Sequence, residues 1–331
     1  MLFAGPSMAD QGGAGAVKDA RQTERIADMM TSQALGGGVE IFQIVEFDGP
    51  THDAQWMLPD ATPAMIAANA AWLDGRFWMA RTNRLIFSYQ LWVVKTGEAV
   101  VLIDTGCGNH KPRISPFQHM INTPAIDWLE SIGAGPEQVT HVLHTHLHSD
   151  HVGWNTRLLD GRWVPTFPSA TYYMPRLDYD LFTQQLAQKM GPEAYEAVIA
   201  DSVLPVIDAG LTRFIEDGDE VAGFVASAAP GHTPGQMIYT LRHKSEEIIF
   251  SGDVFHSPIQ VICPHVNSRW CEDQDEARVT RRALLQRAAD GDARILAAHI
   301  QGLDGWRVGR TGDGFSIGFD RSAQVKAGAD A

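Results

Sequence analysis

Four side chains able to bind divalent ions fall within the six residues His146-Leu147-His148-Ser149-Asp150-His151. Neutral imidazole and carboxylate are the standard ligands of zinc and similar metals. The segment follows Val139-Thr140-His141-Val142-Leu143, a short β-branched run that reads as a strand. In an extended turn, side chains two apart point the same way, so His146 and His148 can share one ion. Asp150 and His151 can then open a helix and face a second ion. Isolated histidines are ordinarily surface residues or satisfied core residues. Four ligand types at this spacing behind a strand constrain the fold far more, because the chain must bring partners to them.

Three further pieces supply those partners. Pro230-Gly231-His232-Thr233-Pro234-Gly235 holds a histidine in a turn fixed by Gly and Pro. Phe250-Ser251-Gly252-Asp253 ends a strand on a carboxylate, and Ala297-Ala298-His299 ends another on a histidine. Each follows an apolar strand, so the polar groups should emerge at one edge of the sheets, where sites gather in layered α/β proteins. Asp104 closes a similar strand, Val101-Leu102-Ile103-Asp104.

The remaining pattern places strands near 39–47, 86–94, 99–104, 139–143, 170–174, 212–216, 222–228, 236–241, 247–251 and 294–298, the last being the final core strand. Helices are expected over 59–75, 121–133, 176–200 and 273–290. Two successive β-rich halves, each followed by helices, predict a four-layer α/β/β/α sandwich rather than a doubly wound sheet. Residues 1–37 are rich in small residues and read as a flexible arm, with 38–331 as a single catalytic domain.

The order HxHxDH, GHTPG, SGD and a strand-final histidine resembles the metallo-β-lactamase superfamily, over most of residues 39–320. The resemblance implies that His146, His148 and His232 hold a first metal. It implies that Asp150, His151 and His299 hold a second, with Asp253 bridging both. It also implies that Asp104 orients a ligand histidine from behind. Zinc is the first choice of metal, and Mn, Fe or Co suit the same N/O donors.

Within the superfamily, Asp253 separates the chain from the antibiotic-degrading β-lactamases, which lack this carboxylate. The stretch Ser251 to Pro258, an Arg-rich helix and Ala297-Ala298-His299 are similar to the lactonase, esterase and organophosphate-hydrolase group. The residues after His299, Ile300-Gln301-Gly302, lack the Pro-rich loop of methyl parathion hydrolase. The expected activity is hydrolysis of a small ester, lactone or phosphotriester by a hydroxide bridging two ions. Asp150 and Asp253 are the candidates to move the proton. His256, where lactonases carry a tyrosine, is a candidate to donate to the developing oxyanion. A glyoxalase II-type thioesterase and a non-catalytic ligand-binding sensor are the alternatives. His144 reads as a core or supporting residue. Trp154, Tyr172, Tyr173, Tyr179, Phe182 and Trp270 are candidates for an apolar pocket wall.

A formal net charge of −14 disfavours nucleic acid and anionic membranes, and favours a small-molecule substrate. Three cysteines without a CxxC pair suit a reducing, cytoplasmic compartment. Neither a membrane span nor a signal peptide is expected. A homodimer is the expected assembly.

Overall fold

A computed structural model describes residues 29–183, 197–319 and 324–325. The strands form two large sheets of eight strands each. The first runs Met30–Gly36, Val39–Asp53, Arg84–Lys95, Val100–Ile103, His141–Leu143, Thr171–Pro175 and Thr212–Ile215, with Trp78–Met79 paired onto Arg84–Lys95. The second runs Glu220–Val221, Phe224–Ala228, Met237–His243, Glu246–Phe250, Arg294–Leu296, Trp306–Thr311, Gly314–Gly318 and Gln324–Val325.

Strict alternation along the strands decides the layering. Ile41, Trp92, Val94, Val101 and Ile103 point from the first sheet into one core that also holds Tyr239, Leu241, Ile248, Phe250 and Leu296 of the second. Their neighbours Phe42, Leu91, Val93 and Leu102 point the other way, onto Trp128 and Leu129 of the helix Ala125–Ser131. On the far side, Ile249 and Ile295 pack with Leu284, Leu285 and Ala288 of the helix Gln274–Gly291. The order is therefore helix, sheet, sheet, helix, as the two β-rich halves predict. No helix among the described residues is long and apolar enough to cross a membrane. Cys107, Cys263 and Cys271 are all buried and unpaired.

Several elements differ from expectation. Part of the expected arm is a strand: Met30–Gly36 pairs antiparallel with Val39–Asp53, while residues 1–28 lie outside the described residues. The expected helix over 59–75 is broken into Pro63–Ala68 and Ala70–Leu73. Asn69 interrupts it, its side chain bonding Met65 O and Trp72 Nε1 instead of leaving the ladder undisturbed. Of the stretch 176–200, Arg176–Leu181 is helical and residues 184–196 lie outside the described residues. Arg294–Leu296 is not the final strand, because Trp306–Thr311 and Gly314–Gly318 extend the sheet as a hairpin. A second hairpin, Thr156–Leu159 with Arg162–Pro165, turns at Asp160-Gly161.

Candidate metal centre

The strands Val100–Ile103 and His141–Leu143 run parallel, as do Glu246–Phe250 and Arg294–Leu296. Parallel neighbours end at the same edge, so the residues that follow them are delivered together. Asp104 comes directly after the first of these strands, and His146 to His151 after the second. Asp253 and His299 each follow their strands by three residues. The histidine motif does not open a helix: it is a turn leading into a single 3₁₀ turn, Gly153–Asn155. Gly153 lies so close to Cys107 that a β-carbon would stand 1.9 Å from its carbonyl carbon, so only glycine fits there. Gly231, at φ 127°, likewise brings the His232 turn onto the backbone of Ala277.

The seven expected ligands converge. His148 Nδ1 stands 3.0 Å from His146 Nε2 and 2.9 Å from His232 Nε2. Asp150 Oδ2 lies 3.8 Å from His151 Nε2 and 3.5 Å from His299 Nε2. Between these two triads sits Asp253. Its Oδ2 is 3.2 Å from His232 Nε2 and 3.1 Å from His299 Nε2, and its Oδ1 is 3.3 Å from His151 Nε2 and 3.0 Å from His299 Nε2.

This donor set fits two divalent ions. His151 Nε2 and Asp253 Oδ1 are buried without a hydrogen-bond partner, although they face each other. Burial, reinforced by the neighbouring histidines, holds His146 and His232 well below the usual imidazole range and His148 at about 4. All three are thus neutral lone-pair donors, the state a metal requires. Around the other triad the balance reverses. Burial opposes a charge on His151, but Asp253, Asp104 and Asp150 outweigh it and raise its pKa well above normal. Burial likewise opposes ionised Asp253, yet His299, His151, His232 and His256 hold its carboxyl well below the usual range. Carboxylate charge is concentrated where a cation would be held.

Backbone and side-chain contacts behind the ligands fix which nitrogen faces inward. The Ser88 carbonyl can only accept, so His299 Nδ1 donates to it at 2.8 Å and leaves Nε2 as a lone pair in the site. Asp104 Oδ2 accepts from His151 Nδ1 at 2.8 Å, turning Nε2 toward the site, and also accepts from Thr145 Oγ1 at 2.8 Å. Asp104 adopts a left-handed backbone, φ 56°, to reach both. This is the supporting position that the sequence implies for it. His144 is buried against Asp104 at 4.0 Å, and burial lowers it to about 4. It lies behind the ligands and not among them.

A profile of the metallo-beta-lactamase superfamily matches residues 87–299, which include all seven of these side chains. The chain belongs to this superfamily. Among solved structures of similar fold is the hydrolase AbOPH, described as of the beta lactamase superfamily. It is 23% identical, with a TM-score of 0.73 over 88% of this chain and 96% of that one. The dizinc quorum-quenching lactonase AidC is 19% identical, with a TM-score of 0.71 over 89% and 99%. At such identities the likeness is one of fold. A curated relative, the atrochrysone carboxyl ACP thioesterase dmxR1 of Cryptosporiopsis sp. (strain 8999), is 26% identical over 54% of this chain. The chain spans only 40% of that relative's length.

The remaining candidates, His256 and the aromatic residues, are placed variously. His256 Nε2 lies 3.2 Å from Asp253 Oδ2 and its side chain has no exposed surface. It is not on the wall of the cavity; its donor atom gathers with those of His232 and Asp253, all within 4.8 Å of one another. Of the aromatic candidates, Trp270 lines the cavity, Phe182 stacks on His148 at 5.6 Å, and Trp154 and Tyr172 are core.

The cavity over the metal centre has a volume of about 580 Å³. Sequence reasoning missed much of its wall. His52, Trp56, Tyr89 and Ile114 all contribute, from regions without any motif. Tyr89 is the most telling. It points inward from the strand Arg84–Lys95, its ring centroid 5.8 Å from that of His299. Burial and nearby Asp150 raise its pKa, so the phenol keeps its proton. The one available signal was period-2 alternation, which put Tyr89 on the same face as Phe87 and Leu91.

Proposed function

We propose that this superfamily member is a dinuclear metal-dependent hydrolase of a small ester, lactone or phosphotriester. The observation that carries the reading is Asp253, whose carboxylate lies between two ligand triads, touching His232 of one and His151 and His299 of the other, at the floor of a largely apolar cavity. Divalent ions held there would supply a Lewis acid and a water of lowered pKa. The first ion would be held by His146, His148 and His232, the second by Asp150, His151 and His299, with Asp253 shared.

The chain's own groups divide the rest of the work. Asp150, partly open to the cavity, is the carboxylate placed to accept and return a proton. Tyr89 presents a protonated hydroxyl to the cavity, where it donates to the substrate oxygen. His256 meets Asp253 at Oδ2 and helps to hold that carboxylate in place. Trp56, Trp270 and Ile114 exclude water from the apolar part of the substrate.

The test is hydrolysis of p-nitrophenyl esters, lactones and phosphotriesters by zinc-loaded protein. Activity on at least one class, lost on chelation and in both Asp253→Ala and His148→Ala, is expected. Full activity after complete metal removal would overturn the reading. The thioesterase relative favours a second reading, hydrolysis of a thioester such as S-lactoylglutathione. Turnover of thioesters in strong preference to oxygen esters would select it.

A further inference from the structure

Arg269 stands at the rim of the cavity with its charge uncommitted. Its backbone N donates to Met57 O at 2.9 Å, and its Nε donates to Trp56 O at 2.7 Å. The guanidinium carbon lies 4.4 Å from the centroid of the Trp56 ring. His52 stacks on the same tryptophan at 5.0 Å, with only 11° between the planes, so the ring is itself held in place. The two terminal amino groups of Arg269 have no ion pair or hydrogen bond among the described residues.

This is unlike an ordinary surface arginine. A solvated arginine keeps its rotamer freedom, whereas here one face and one N–H are already used to fix the group. What remains is a preoriented pair of donors, the geometry that recognises a carboxylate or phosphate in the plane of the fork. The other arginine on the cavity wall, Arg113, is already taken: both its terminal nitrogens lie 2.7 Å from Asp201 oxygens. Among the described residues of the wall, Arg269 is therefore the cation left to meet a ligand; Trp56, Trp270 and Ile114 give that wall its apolar area, and Glu272, Ser115, Gln118 and Ser149 add polar groups to it.

We propose that Arg269 is a specificity-determining residue, and that the substrate is an ester or lactone carrying a carboxylate at the end remote from the scissile bond. The apolar span lies along Trp56 and Trp270, and the remote carboxylate pairs with Arg269 at the rim. This rests on the hydrolase reading above, and the experiment separates the two.

Mono-p-nitrophenyl half-esters of the diacids from succinic to suberic are compared with neutral p-nitrophenyl esters of matched chain length. The full-length zinc-loaded protein is used, with Arg269→Gln and Arg269→Lys alongside. Binding of the free diacids and of matched monoacids is measured by calorimetry on the same proteins. At the best chain length, kcat/KM is expected to favour the half-ester by about tenfold or more, chiefly through KM, as suits a charge-assisted pair. In Arg269→Gln the ratio falls to about one, and in Arg269→Lys it is intermediate because the fork is lost. If neither ester is turned over but a diacid binds tighter than its monoacid only when Arg269 is present, the Arg269 assignment stands and the ester-hydrolase reading falls. Equal use and equal binding of acid and neutral compounds in the wild type overturns the assignment, as does a preference that survives in Arg269→Gln.

Discussion

Asp178 and Thr233 join two loops that sequence alone keeps apart. Asp178 Oδ2 accepts from Thr233 Oγ1 at 2.7 Å, and its Oδ1 accepts from the Gly235 N–H at 2.6 Å. Leu147, between His146 and His148, also bonds the same carboxylate through its backbone. One buried side chain thus fastens the His232 turn to the His146–His148 turn. Asp178→Asn loses acceptor capacity in this clamp, and zinc affinity is expected to fall by roughly 10- to 100-fold. Chelator competition measures it, and cobalt substitution reports the altered three-histidine geometry. Unchanged affinity together with an unchanged cobalt spectrum would show that the clamp is dispensable.

Removal of the Tyr89 hydroxyl tests its proposed donation to the substrate oxygen. Tyr89→Phe is expected to lower kcat by roughly 10- to 100-fold with zinc content unchanged. A wild-type kcat in this variant would leave the cavity without an assigned donor.

Glu46 links stability to pH. It occupies a bulge in the strand Val39–Asp53 and accepts from Cys107 N at 2.5 Å and Trp154 Nε1 at 2.7 Å. Burial nevertheless raises its pKa to about 7. Between about 4.5 and 7 the folded chain holds a proton that the unfolded chain has released. Stability therefore falls as pH rises across that window, by about 3 kcal/mol from this group. Glu46→Gln lacks the slope but loses acceptors. Its melting temperature should lie furthest below wild type at pH 5 and approach it at pH 8. Parallel curves would contradict the assignment.

Arg281 is buried to the last atom and bonds four oxygens, those of Val254, Pro264, Val266 and the Asn267 side chain. It ties the helix Gln274–Gly291 to the segment after Asp253. Arg281→Met leaves those acceptors unsatisfied and should cost about 3 kcal/mol or more, read as a lowered urea midpoint. A loss below about 0.5 kcal/mol would mean that water replaces the guanidinium without penalty.

The convergence of the seven candidate ligands was legible because each lies a few residues beyond the end of a strand, most of them in short motifs dense in His, Asp and Gly. The layer order was legible too, from the alternation of residues such as Ile41, Phe42, Trp92 and Val93. The cavity wall was not. His52 and Trp56 belong to a segment with no periodic signal, and contacts with Arg269 and Trp270 across the fold place them at the site. His256 shows the opposite failure. Three residues from Asp253 suggested a face toward substrate, but the local turn directs the ring back onto the carboxylate. Asp178 looked like any acidic residue at a helix start, since its partners, Leu147, Thr233 and Gly235, all lie in other segments of the chain.

The ligands divide by origin. His146, His148, Asp150 and His151 come from the edge of the first sheet, and His232, Asp253 and His299 from the second. Each triad draws on both. A bound ion would therefore be a rivet between the halves of the molecule, and neither half could retain one after the other had melted. With divalent ions bound as proposed, metal occupancy and the docking of the sheets would be a single equilibrium, and the melting point would rise with the free concentration of the ion.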